Sequence, residues 1–302
     1  MNDEKPAAAD CGDAASAIDW NRIWQARKKA SRQSQRGSDA SRRWERREQA
    51  ERYAHDVDAV YETRISETLS LLTVRNGMSV LDIGSGPGTL AVPLAERGAR
   101  VTAVEPAAGM AALLHERAAQ AGCGPVAVVR KRWEDVDPAA DLAAPYDLVV
   151  ASFSLAMDDI GAAVRKMDEA ASGGVYLFWF AGEPLWERMY RDLWDELHGV
   201  PYCPGPKADC LINLLFQMGI APSVLMAPLE KSYRFDGFDE AVAFFGPRFG
   251  VSDARQEHIL RRYLADRNQS DGGGFALAAT TMYASIWWEK KPRWPSRFFS
   301  AP

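Results

Sequence analysis

Long apolar runs are missing from this 302-residue chain. No stretch approaches the roughly 18 residues that a membrane-spanning helix needs. The opening Met-Asn-Asp-Glu-Lys-Pro is too acidic and polar for a secretory leader, so a soluble, cytoplasmic protein is expected. Cysteine is scarce as well. Cys11, Cys123, Cys203 and Cys210 are scattered, and the last two are spaced more widely than a zinc knuckle allows. His55, His115, His198 and His258 form no HxH or HxxxH pair, so neither a disulfide framework nor a metal is expected. Overall positive charge is also lacking. The net charge of −5 weighs against a globally basic nucleic-acid binder. No Gly-Lys-Ser/Thr ends a glycine loop, which excludes a triphosphate P-loop, and no Gly-x-Gly-x-x-Gly of the dinucleotide type occurs.

What is present is enough apolar material for a sizeable core, at 47% hydrophobic against 25% charged. Residues 1–19 are rich in Ala and Asp without periodicity and read as a disordered tail. Residues 21–52 carry a net charge of +7, leaving −12 for the rest. Trp20 and Trp24, then Trp44, Tyr53 and Val57, recur at helical spacing, which predicts two amphipathic helices joined around Gly37. Ile65, Leu69 and Leu72 predict a further helix closed by Asn76-Gly77.

From Ser79 onward, short apolar strands alternate with helices: strands at 79–83, 100–104, 125–130, 146–153 and 175–180, with helices at 90–96, 109–120 and 160–171 between them. Fully apolar strands in such alternation imply a parallel sheet covered on both faces. Helices follow at 184–197 and 207–218. A strand at 223–235, helices at 238–245 and 253–266, a turn at 271–274 and a final strand at 275–289 complete the reading. The expected fold is α/β and doubly wound, with a mostly parallel seven-stranded sheet, an N-terminal helical extension and a helical insertion between the last two strands.

The sharpest local signal is Asp82-Ile83-Gly84-Ser85-Gly86-Pro87-Gly88, where a buried strand meets a helix through a glycine-rich turn. Glycine there lets a ligand approach the backbone closely. Asp82 would repel phosphates but suits a cofactor carrying an ammonium. Glu105 closes the second strand about twenty residues on, where an acid can accept from ribose hydroxyls. Pro106 and Met110 offer apolar surface to an adenine, and Trp133-Glu134-Asp135 follows the third strand with a ring and two acceptors.

These features, in this order, resemble the class I S-adenosylmethionine-dependent methyltransferases over residues 75–182. The resemblance implies S-adenosylmethionine as cofactor and S-adenosylhomocysteine as product. It implies that Gly84 to Gly88 line the methionine and ribose, and that Glu105 binds the ribose hydroxyls. It also implies that Trp133 to Asp135 meet the adenine and that Ala151 to Ser154, Ser152 included, border the reaction centre. The segment from Arg43 to Tyr53 is similar to the aromatic-x-x-x-Ala-x-x-Tyr helix that precedes this domain and closes over the cofactor, which places Tyr53 at the site. The expected layout is therefore a tail and helical lid over 1–66, and a methyltransferase domain over 67–290. Additions at 183–218 and 237–268 are expected to cover the acceptor, with a tail over 291–302.

The acceptor is less constrained. Ala151-Ser152-Phe153-Ser154 lacks the Asn/Asp-Pro-Pro-aromatic corner of enzymes that methylate base amines, and Cys203-Pro204 inverts the Pro-Cys pair of cytosine-carbon methylation. Eight aromatics between Tyr176 and Tyr202 suit an apolar or flat small molecule. Tyr190 and His198 are the candidate acid/base groups there. A small-molecule O-, N- or S-methyltransferase is the leading expectation. RNA or protein methylation docked by the basic segment is the alternative, and a non-catalytic cofactor-binding protein is a third.

Overall fold

A computed structural model of the chain describes residues 18–34, 44–270 and 274–290. The expected tails at 1–17 and 291–302, the Gly37 junction and most of the 271–274 turn lie outside the described residues. Two helices come first, α1 (Trp20–Ser34) and α2 (Arg47–Leu71). Then follow β1 (Ser79–Ile83), α3 (Ala91–Glu96), β2 (Arg100–Val104), α4 (Ala108–Ala121) and β3 (Ala127–Val129). A 3-10 turn at Trp133–Asp135 and the short α5 (Pro138–Asp141) lead to β4 (Tyr146–Ser152), α6 (Ile160–Ala170) and β5 (Ala171–Phe180). The second half adds α7 (Leu185–His198), α8 (Ala208–Gln217), β6 (Ser223–Phe235), α9 (Phe238–Arg248), α10 (Ala254–Arg267) and β7 (Phe275–Glu289).

The seven strands form one sheet in the order β3-β2-β1-β4-β5-β7-β6. Strands β1 to β5 are parallel, as their continuous apolar burial requires. β7 runs antiparallel to both neighbours, so the sheet is mixed and the long β6–β7 hairpin forms its far edge. On one face Leu81, Val149, Val164 and Leu211 bring α1, α6 and α8 into one core; on the other Val80, Leu94, Leu114 and Leu69 gather α2, α3 and α4. A third cluster forms where α7, α9 and α10 cover the outer half of the hairpin through Leu193, Phe245, Leu260 and Phe275.

Two expectations are corrected. The helix bearing Tyr53 and the one bearing Leu69 are a single 25-residue helix, α2. No glycine or proline interrupts it, and its apolar stripe only changes partner. Ala50 and Ala54 pack on α4, while Leu69 packs on the sheet. β5 also starts four residues before Val175, because Gly173 lets its backbone pass where a Cβ would lie 2.2 Å from the Asp147 carbonyl oxygen.

Helix α1 is a docked part of the core. The Trp24 side chain is wholly buried and its indole Nε1 donates to the Met157 carbonyl at 2.9 Å. Asn21 caps α6, taking the Gly161 N–H and donating to Asp159. Arg27 and Arg32 pair with Asp209 and Asp158. Among the described residues no helix is long and apolar enough to cross a membrane.

Candidate active site

The carboxyl ends of β2 and β4 meet α2, where Tyr53 feels the charge of Glu105 and Arg64 reaches Ser152, and the glycine turn follows β1 beside them. In a doubly wound sheet this crevice is where ligands bind. The turn is shaped by left-handed backbone at Gly84 (φ 69°), Gly86 (φ 55°) and Gly88 (φ 85°), which side chains strain to adopt. The three glycines do different work. A Cβ on Gly84 would sit 2.4 Å from Cβ of Ser154, and one on Gly88 2.9 Å from Val92. One on Gly86 would meet no protein atom within 4 Å. The first two are close-packing glycines; the third faces open space.

Two buried carboxyl groups flank that space. Glu105 accepts from the Gly86 N–H at 2.9 Å and from the Ala107 N–H at 2.8 Å. Burial pushes its pKa up, against the pull of those two amides. Asp82 is 2% exposed and accepts from the Ala91 N–H, yet its Oδ2 finds no partner in the protein, nor does Oγ of Ser85. Burial, and then the nearby Glu105 charge, raise Asp82 to about 7. Buried polar atoms are normally paired, so these orphans mark where a ligand's donors fit. An ammonium and ribose hydroxyls meet that requirement; a phosphate does not.

The raised Asp82 makes a stability prediction. The folded chain holds a proton that the unfolded chain releases near the ordinary value of 3.8, so this group lowers stability as pH rises from about 4 to about 7. Asp82→Asn should flatten the thermal-melting profile of the ligand-free protein across that window. An unchanged slope would mean that Asp82 titrates normally.

The start of α2 is anchored by contacts between distant parts of the chain. Arg47 makes a two-pronged pair with Glu116 of α4 at 2.7 and 2.9 Å. Glu45 accepts the Ala108 N–H at the start of α4. Gly109 has no side chain where a Cβ would lie 2.7 Å from the Trp44 carbonyl oxygen. Tyr53 stacks obliquely on Trp44, with ring centroids 4.7 Å apart. Tyr53 as a whole residue is 37% exposed; burial raises its phenol, Arg64 lowers it and Glu105 raises it.

Arg64, about three α2 turns beyond Tyr53, is a candidate site residue that sequence reasoning missed. Its guanidinium lies 4.7 Å over the Phe153 ring and donates to Oγ of Ser152 at 3.2 Å. Phe153 itself has φ 54°, a strained conformation for a bulky residue at the end of β4. Its ring is held by Phe180 at 4.8 Å and Tyr283 at 5.8 Å, which builds an aromatic wall beside Ser152. Ser154 fixes the same corner by donating to the Ile83 carbonyl at 2.5 Å.

Other expected positions lie elsewhere. The Trp133 ring is 3% exposed and donates to the Ala163 carbonyl, so it is a core residue and not a platform for adenine. Lys166, a second residue missed, ties that turn by donating to the carbonyls of Trp133, Glu134 and Val136. Glu134 and Asp135 stay exposed. Met110 fills the α2–α4 contact with Ala50 and Ala54 instead of forming an open shelf, while Pro106 precedes it with its carbonyl taken by Arg130. Tyr190 spends its hydroxyl on the Arg248 carbonyl and stacks on Tyr202. His198 bonds the Phe249 carbonyl at the far end of α7, about 20 Å from that helix's start. Both are drawn into the α7–α9 packing, and neither hydroxyl nor ring nitrogen bonds the glycine turn. Among the described residues no cluster of His, Cys, Asp and Glu could hold a metal.

Comparison with known proteins agrees with this geometry. Residues 80–174 match the family model described as a methyltransferase domain. An uncharacterised protein of Haemophilus influenzae is 26% identical over 228 residues, spanning 74% of this chain and 80% of its own length. Two solved structures share the fold. One is a Bacillus halodurans protein assigned provisionally as a methyltransferase, with TM-score 0.52 and 12% identity, covering 76% of this chain and 100% of its own. The other is the YcgJ protein of Bacillus subtilis, with TM-score 0.51 and 14% identity, covering 74% of this chain and 98% of its own. Residues 80–174 are thus similar to a methyltransferase domain, and the chain shares the Rossmann-like α/β fold of these two solved structures.

Proposed function

We propose that the crevice between the glycine turn and α2 binds S-adenosylmethionine and that the chain methylates O, N or S of a small molecule. The observation that carries this reading is the pair of buried acids, Asp82 and Glu105, flanking the open space at Gly86 with Asp82 Oδ2 unpartnered. When bound, the cofactor supplies a sulfonium methyl group for in-line transfer. The chain's own part is to orient and to exclude water. Asp82 meets the ammonium, and Glu105 the ribose hydroxyls. Arg64 is the cation at hand for the methionine carboxylate. Trp44 and Tyr53 close the crevice, and Ser152 with the Phe153 wall borders the acceptor.

Glu105→Ala should weaken S-adenosylhomocysteine binding by roughly 1–3 kcal/mol, the scale for hydrogen bonds to a charged group. Calorimetry checks it, and an unchanged affinity removes Glu105 from the site. Affinity should also rise with pH through about 7, because the ammonium favours ionised Asp82.

The small-molecule reading has independent support. Arg27 and Arg32 of the basic segment are paired with Asp209 and Asp158, which lowers the net positive charge that α1 offers a polyanion. The test is a methyl-labelling experiment with cell extract separated into small-molecule, protein and RNA fractions. Label should enter the small molecules. Label in RNA, with binding that survives about 200 mM salt, would move the basic segment to the centre of the account.

A further inference from the structure

Strand β6 is the last in the sheet order, so among the described residues one side of its backbone has no strand beside it. Natural sheets guard such edges with charge, proline or cover. Here the guard is uneven. Residues 210–229 contain no charged side chain, and Glu230 and Lys231 come only after them. Within this run Ser223-Val224-Leu225-Met226-Ala227 is bracketed by Pro222 and Pro228.

The same place holds half of the exposed large apolar residues among those described. Leu225 is 52% exposed, Met226 47%, Met282 41% and Val224 39%. Pairing sets Val224 opposite Ile286, Met226 opposite Ala284 and Pro228 opposite Met282, so these side chains share one face, with exposed Phe216 at the end of α8 on that side. Leu225, opposite Ser285, lies on the other face. The edge is apolar on both sides.

Proline has no N–H and is tolerated in a ladder where its nitrogen faces outward. Pro228 therefore sets the phase: Val224 and Met226, four and two residues before it, aim N–H and C=O away from β7. The bracketed segment is symmetric about Leu225, with one outward-facing residue and one proline on each side. We propose that this edge is the interface with a second copy of the chain, the two β6 strands pairing antiparallel about a two-fold axis at Leu225. Val224 of each copy then exchanges backbone hydrogen bonds with Met226 of the other, and each Pro222 lies opposite a Pro228. Glu230 and Lys231 fall outside the paired segment, so no like charges face one another. A two-fold contact also closes on itself, and the prolines stop the pairing from spreading. A second copy fits better than an unrelated partner, because neutrality, length and proline spacing match under the segment's own reversal.

Sedimentation equilibrium of the full chain tests this. The expected result is a concentration-dependent dimer that Met226→Glu converts to a monomer which still melts cooperatively, at the temperature of the unmodified chain diluted to its monomer, since Met226 is outside the core. Leu225→Cys should form a disulfide-linked dimer under mild oxidation, because residues on the axis face each other closely at a non-hydrogen-bonded pair. Val224→Cys and the unmodified chain should not. A monomer at every concentration overturns the proposal, as does a dimer that survives Met226→Glu. If removing residues 291–302 turns a monomer into a dimer, the chain's own end covers the edge and the proposal also fails. None of these readouts depends on the cofactor.

Discussion

Replacing Gly86 with valine should cut affinity for S-adenosylmethionine and S-adenosylhomocysteine by more than a hundredfold, about 3 kcal/mol. The protein should stay folded. The structure separates these outcomes, because a Cβ at Gly86 meets no protein atom within 4 Å, so the new side chain enters only the space assigned to the ligand. The backbone penalty remains, since φ is 55° and a β-branched residue in that region costs on the order of 1–3 kcal/mol. Against a typical stability of about 5–15 kcal/mol that is survivable. Gly84→Val is the contrasting variant. Its side chain would collide with Ser154 Cβ at 2.4 Å, so it should disrupt the turn itself and lower stability more than Gly86→Val. Melting curves with and without ligand distinguish the two. Equal ligand-induced shifts in the wild type and Gly86→Val would show that the space beside Gly86 is not the cofactor's.

Trp24→Ala should be the most damaging single truncation in the N-terminal region. A wholly buried tryptophan reduced to alanine loses about 3–5 kcal/mol, and here it also strands the Met157 carbonyl that its indole satisfied. At roughly 2–4 °C per kcal/mol for a domain of this size, the melting temperature should fall by about 10 °C. The ring contact with Trp179 at 6.1 Å means that β5 loses packing as well. A helix that merely decorated the domain would melt away without such a cost. If deleting α1 left the melting temperature unchanged, its docking on α6 and α8 would be inconsequential.

How much of this was legible in the sequence depended on distance along the chain. Strands 79–83, 100–104, 223–235 and 275–289 carry the same bounds in sequence and structure, because apolar runs and adjoining glycines are local signals. The glycine turn is legible for the same reason: strand, turn and helix start are consecutive. The position of β7 between β5 and β6 was not, since nothing in a strand's own residues names its neighbours. Arg64 escaped because its partners Ser152 and Phe153 lie almost ninety residues away. Trp133 was misread because an aromatic beside two acids looks like a ligand platform, whereas its ring turns inward to meet Ala163 of α6. His198 and Tyr190 suggested acid/base chemistry by residue type alone. Their hydrogen-bond partners, the carbonyls of Phe249 and Arg248, come from a helix more than fifty residues later.

The central claim is that two buried acids and an open glycine turn form a site for S-adenosylmethionine. Isothermal titration of the full chain with S-adenosylhomocysteine tests it most directly. The account predicts one-to-one binding, accompanied by slowed hydrogen exchange in the backbone of residues 44–56 as α2 closes. No heat with S-adenosylhomocysteine or S-adenosylmethionine, together with binding of a nicotinamide dinucleotide, would contradict it.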